Sequence, residues 1–138
     1  MNPLSMAHTY SYELQSVFSE AEKIPALIEE LDGQLSMKSE MKDRLTLALS
    51  EAVTNAIVHG NREDLSKRVY VAIEITDTKI TASVLDEGDG FQANDVPDPL
   101  TDENILKTGG RGLLFMEEFA DNVHYGQDGR QVILEFNR

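Results

Sequence analysis

One stretch constrains the fold of this chain more than any other. Leu49, Ala52, Val53, Ala56 and Ile57 recur at the spacing of a single helix face. A helix of that pattern must lay its apolar stripe on a core. Glu51 and Asn55 interrupt the stripe, four residues apart. Side chains so spaced stand one above the other on the same helix face. A carboxylate at the border of a core is costly without a partner. The pair therefore reads in two ways. Glu51 is either the partner of a neighbouring cation or a general base. Asn55 is either a buried amide bridging backbone groups or an oxygen ligand for Mg²⁺, a cation that takes few protein ligands.

The rest of the pattern surrounds that helix with one domain, spanning residues 1–138. Tyr10, Tyr12 and Leu14 alternate as a strand. Ile24, Leu27, Ile28, Leu31 and Leu35 have helical spacing, with Pro25 in the first turn and Gly33 as a stop. The central helix is expected to begin at a Ser39 N-cap and to run to about His59, with Gly60 as a left-handed cap. Strands follow over Val69–Ile75 and Ile80–Val84, joined by a turn near Asp77-Thr78. A last strand runs over Val132–Phe136. Leu113, Met116 and Phe119 predict a further short helix. The expected fold is α/β (α+β): a two-layer sandwich of a mixed, mostly antiparallel sheet with helices on one face.

Composition removes several function classes. The chain has no cysteine, which excludes disulfides and thiolate chemistry. Its formal net charge of −13 argues against direct nucleic-acid binding, which rests on Lys and Arg. No apolar run is long enough to span a bilayer, and no signal peptide is visible, so a cytoplasmic protein is expected. The histidines His8, His59 and His124 are too scattered to suggest zinc.

Two glycine clusters follow the helix. Asp86-Glu87-Gly88-Asp89-Gly90-Phe91 stands directly after the third predicted strand, Ile80–Leu85. It is either an acidic surface turn or a place where a ligand approaches backbone, with Asp86 accepting from an amino group. Gly109-Gly110-Arg111-Gly112 precedes the short helix. It is either a helix-start turn or an anion site. Arg111 reads as a phosphate contact or a solvated charge. Between the clusters, Phe91–Thr108 has weak periodicity and holds Pro97, Asp98, Pro99, Asp102 and Glu103, which favours a lid.

Taken in order, these segments resemble a known family. Glu51-Ala52-Val53-Thr54-Asn55-Ala56-Ile57-Val58-His59-Gly60-Asn61 is similar to the N-box of the GHKL ATP-binding superfamily. The Asp86–Phe91 and Gly109–Met116 runs resemble its two glycine boxes. Val96-Pro97-Asp98-Pro99 and the GGRGLLFM run are closest to the stand-alone anti-sigma-factor serine-protein kinases of bacteria. The resemblance covers about Tyr10 to Phe136. It implies the cofactors ATP and Mg²⁺. It places the adenine amino group on Asp86, with Gly88 and Gly90 letting the base approach. Asn55 would bind Mg²⁺, Gly110, Arg111 and Gly112 would face the phosphates, and Glu51 would be the base for a serine hydroxyl. Where many members carry a threonine against the adenine, this chain reads Ile133.

The resemblance also implies partners: a STAS-domain anti-sigma-factor antagonist that is phosphorylated, a sigma factor that is sequestered, and a second copy in a homodimer. Two rivals stand beside the kinase. One is a nucleotide-binding anti-sigma module that transfers no phosphate. The other is a histidine-kinase catalytic domain, against which no phosphoacceptor-bearing helical hairpin is seen in the sequence.

Overall fold

The structure, a computed structural model, describes residues 7–35, 37–88 and 116–138. Strand β1 (His8–Gln15) leads into a one-turn helix α1 (Phe18–Ala21), then α2 (Ile24–Leu35) and α3 (Ser39–Asn55). A π-helical turn (Ala56–Gly60) extends α3. Strands β2 (Arg68–Ile75) and β3 (Lys79–Leu85) follow, and a helical segment at 116–119 precedes the hairpin β4 (Asn122–Gly126) and β5 (Gln131–Asn137).

The sheet has the order β1-β2-β3-β5-β4. All four described pairings are antiparallel, the purest form of the mostly antiparallel sheet that was expected. Strand β5 lies between β3 and β4 in the sheet although it follows both in sequence, so β3 and β4 are not neighbours. The second glycine cluster lies between β3 and β4 in sequence, outside the described residues.

Alternation decides which face is covered. Val69, Val71, Ile73 and Ile75 on β2, Ile80, Ala82 and Val84 on β3, and Leu134 and Phe136 on β5 are all buried. They meet Ile24, Ile28 and Leu31 of α2, Leu45, Leu49 and Val53 of α3, and Ile57 of the π-turn. Burying each large aliphatic side chain contributes about 1.5–3 kcal/mol. The opposite face, with Thr9, Ser11, Glu13, Tyr70 and Glu74, is exposed. The two-layer sandwich is thus a direct product of the period-2 and period-3.6 patterns.

Three helix boundaries differ from expectation. The extended residue before α3 is Lys38, at φ −62° and ψ 145°, and no side chain caps the helix. Ser39 is already helical, and an N-cap must be extended for its side chain to reach back. Gly33 does not stop α2, which continues to Leu35. A Cβ there would meet nothing within 4 Å, so the glycine sits on an open helix surface. Gly60 is not left-handed; the positive φ values fall on Arg62 (54°) and Glu63 (57°) instead. Two elements, α1 and β4, had no predicted counterpart.

Candidate functional site

The π-turn brings the end of the Glu51–Asn61 stretch to the start of the first glycine cluster. Asn61 N–H bonds back to the Ala56 carbonyl at 2.8 Å, and Glu63 N–H to that of Ile57 at 2.8 Å. Wider turns of this kind recur at functional sites, because they re-aim the backbone without ending the helix. Here the turn delivers Gly60 against the exit of β3. A side chain on Gly60 would overlap the Asp86 carboxylate, and one on Gly88 would overlap the Gly60 carbonyl. The two glycines therefore serve close approach of two backbones, which is a different reason from a helix cap.

Asp86 follows β3 directly. Its backbone N–H donates to the Arg130 carbonyl at 2.9 Å, which prolongs the β3–β5 ladder by one residue. Its Oδ1 accepts the Gly88 N–H at 2.8 Å. Its Oδ2 has no hydrogen-bond partner among the described residues. Burial pushes the Asp86 carboxyl above its ordinary value, opposed by the Gly88 bond and by the charges of Arg130 and Lys67. A desolvated carboxylate with one engaged oxygen and one free oxygen is suited to recognise an amino group.

Asn61 holds this corner together and was not assigned a role from sequence. It is 1 % exposed. Its Nδ2 donates to Ser16 Oγ at 2.9 Å and to the Arg68 carbonyl at 3.0 Å. Its Oδ1 accepts the Glu87 N–H at 2.8 Å. Ser16, fully buried, donates its hydroxyl to the Lys67 carbonyl at 2.6 Å. The Glu87 carboxylate accepts the Arg68 N–H at 2.6 Å, where β3 has already left the sheet. No local pattern marks a buried asparagine of this kind. The only sequence signal was its place at the end of the Glu51–Asn61 run.

Glu51 and Asn55 lie on the last turns of α3, both partly buried. Neither side chain has a hydrogen-bond partner among the described residues. Among the described residues no three acidic or histidine side chains gather into a metal cluster. A lone amide oxygen suits Mg²⁺, which keeps its waters and the phosphates of its ligand. Gly90, Gly110, Arg111 and Gly112 lie outside the described residues, as does the expected lid. Met116 and Phe119 pack on the core as their spacing predicted. Ile133 belongs to the open sheet face, opposite Ser83 and His124. Val84, near the end of the strand that leads to Asp86, faces the covered side instead.

This fold is that of a known domain class. The histidine kinase-like ATPase domain matches residues 19–136. The anti-sigma F factor of Bacillus velezensis is 33% identical over 102 residues, 72% of this chain and 67% of that protein. The anti-sigma F factor of Geobacillus is 34% identical over 102 residues, again 72% and 67%. A crystal structure of the RsbU and RsbW domains of Rv1364c from Mycobacterium tuberculosis superposes with a TM-score of 0.67 at 20% identity. It is covered over 33% of its length by 95% of this chain, and that likeness concerns the fold. The chain belongs to the histidine kinase-like ATPase family, in the branch of the anti-sigma-factor serine kinases.

Proposed function

We propose that this chain is an ATP-dependent serine/threonine protein kinase that also acts as an anti-sigma factor. Its substrate would be a STAS-domain antagonist, and its second partner a sigma factor that it sequesters. The observation that carries the reading is the Asp86 corner. The end of the α3 segment and the exit of β3 meet there in backbone contact, with Asp86 Oδ2 available to an adenine amino group.

The chemistry follows from the residues present. Asp86 would accept from the adenine amino group, and Gly88 would let the base lie against backbone. Asn55 would hold Mg²⁺, which when bound offsets phosphate charge. Glu51, one helical turn earlier, would take the proton from the attacking serine hydroxyl as its oxygen bonds to the γ-phosphorus and ADP departs. Such transfer needs positioning and charge stabilisation more than covalent help from the protein. Gly90, Gly110, Arg111 and Gly112 are proposed to complete the base and phosphate contacts. We place the protein in the cytoplasm; no helix among the described residues is long and apolar enough to cross a membrane. A homodimer is proposed as the working unit.

The test is transfer of label from Mg²⁺-ATP to each STAS-domain protein of the source genome. Wild type is run beside Glu51→Gln and Asn55→Ala. Label on one STAS protein is expected, falling at least 100-fold or so in Glu51→Gln while ATP binding by calorimetry is kept. No label on any of them, with ATP bound, would overturn the kinase and leave a nucleotide-gated binding module.

A further inference from the structure

We propose that Asn61 sets the base selectivity of the nucleotide site, as a positioning residue acting through Glu87 on Asp86. The inference rests on the nucleotide reading above and deepens it.

Three independent ties hold the turn that carries Asp86. The Gly88 N–H fixes Oδ1 of Asp86. Asn61 Oδ1 holds the Glu87 N–H, the peptide adjoining Asp86. The Glu87 carboxylate is anchored in turn on the Arg68 N–H. Asn61 itself cannot drift. Its amide is committed at both ends, to Ser16 just after β1, to β2 and to the β3 exit, and its own backbone closes the π-turn. A buried amide with every bond made is costly to disturb, because each freed partner is left unsatisfied. The result is an acceptor, Asp86 Oδ2, whose place is set before any ligand arrives. Recognition of an amino group by one carboxylate oxygen depends on placement within about 0.5 Å. Loss of the Asn61–Glu87 tie lets the turn shift, and the amino group loses its acceptor. Contacts made by a triphosphate elsewhere are untouched.

This separates a positioning role from a merely structural one. Inosine triphosphate carries a carbonyl oxygen where ATP carries the amino group, so Asp86 would face an acceptor. The experiment measures affinities of ATP and inosine triphosphate for the full chain by calorimetry, with circular dichroism as the check on folding. Wild type is expected to prefer ATP by about 100-fold. Asn61→Ser and Glu87→Ala are expected to cut that preference to about tenfold or less, through weaker ATP binding at constant inosine triphosphate binding. Glu87→Gln is expected to restore the preference, since its amide oxygen still accepts from Arg68. Should Asn61→Ser fail to fold, Glu87→Pro carries the test, because proline lacks the N–H that Asn61 accepts and Glu87 itself is exposed. An unchanged preference in the folded variants overturns the proposal, and so does an equal loss of both nucleotides. Wild type that binds the two alike overturns it together with the Asp86 assignment, while nucleotide binding stands. Wild type that binds neither sinks the nucleotide reading itself.

Discussion

Asp86 is held at the expense of its own solvation, which the proposed recognition of an amino group would offset. Burial raises its carboxyl above the ordinary value, and the Gly88 bond recovers only part of the loss. A carboxyl raised in the folded state favours folding most when protonated. Its contribution is therefore present at low pH and is lost as pH climbs through the folded value. Asp86→Asn removes that penalty while keeping an oxygen for Gly88. The apo variant should melt no lower than wild type at pH 7 by calorimetry, yet bind ATP roughly 30-fold more weakly, as expected for loss of one charged hydrogen bond. Asn61 shows the opposite economy. Its side-chain nitrogen and oxygen are both bonded within the fold.

The π-turn and the β4–β5 hairpin show how an element's local geometry is chosen by its neighbours. Gly60 was expected as a left-handed cap, but its role is to leave room for Asp86. Gly60→Ala should therefore lower stability by about 2 kcal/mol and abolish ATP binding, read by denaturant unfolding and calorimetry. An unaltered ATP affinity would contradict the close approach. In the hairpin, Gln127 (51°) and Asp128 (57°) both carry positive φ, followed by Gly129 at 88°. Glutamine tolerates that region poorly and asparagine well. Gln127→Asn should raise stability by about 0.5 kcal/mol in urea unfolding. The Asp128-Gly129 dipeptide was the available sign of this hairpin. It went unread because β4 is a five-residue edge strand with mostly exposed side chains, and so lacks the alternation that marks a strand.

For the molecule as a whole, charge ties the layers together and sets the acid limit. Arg44 of α3 donates from Nε to the Phe119 carbonyl at 2.9 Å and pairs with Asp121 at 3.2 Å. Asp121 also accepts the Asn137 N–H at 2.7 Å. That backbone bond first, and Arg44 second, hold the Asp121 carboxyl below its ordinary value of 3.8. On the open sheet face, Lys79 and His124 do the same for Glu135. Carboxyls lowered by folding stabilise only while ionised. Their contribution is complete above the unfolded values and is lost as pH falls through the lower folded ones. The melting temperature should fall below about pH 4, and Asp121→Asn should flatten that acid limb while lowering the melting temperature at pH 7. An acid limb of undiminished slope in the variant would remove Asp121 from the account.

Most of the architecture was legible in the chain because it is periodic. The alternation over Val69–Ile75 and Ile80–Val84 and the stripe Leu49 to Ile57 each define one buried face, and two such faces can be satisfied only by each other. The glycine-bearing motifs were legible for a similar reason, since their order along the chain is itself a pattern. The corner built by Asn61, Ser16, Arg68 and Glu87 was not. Those residues are up to 71 positions apart, from Ser16 to Glu87, and each looks like an ordinary polar surface residue in its own neighbourhood. Only packing shows that Asn61 is buried with every bond made, and that Gly60 is small because Asp86 stands against it. Local sequence decides which groups a segment must bury or expose. Tertiary structure alone decides which distant polar groups satisfy one another, because that depends on where separate elements come to rest.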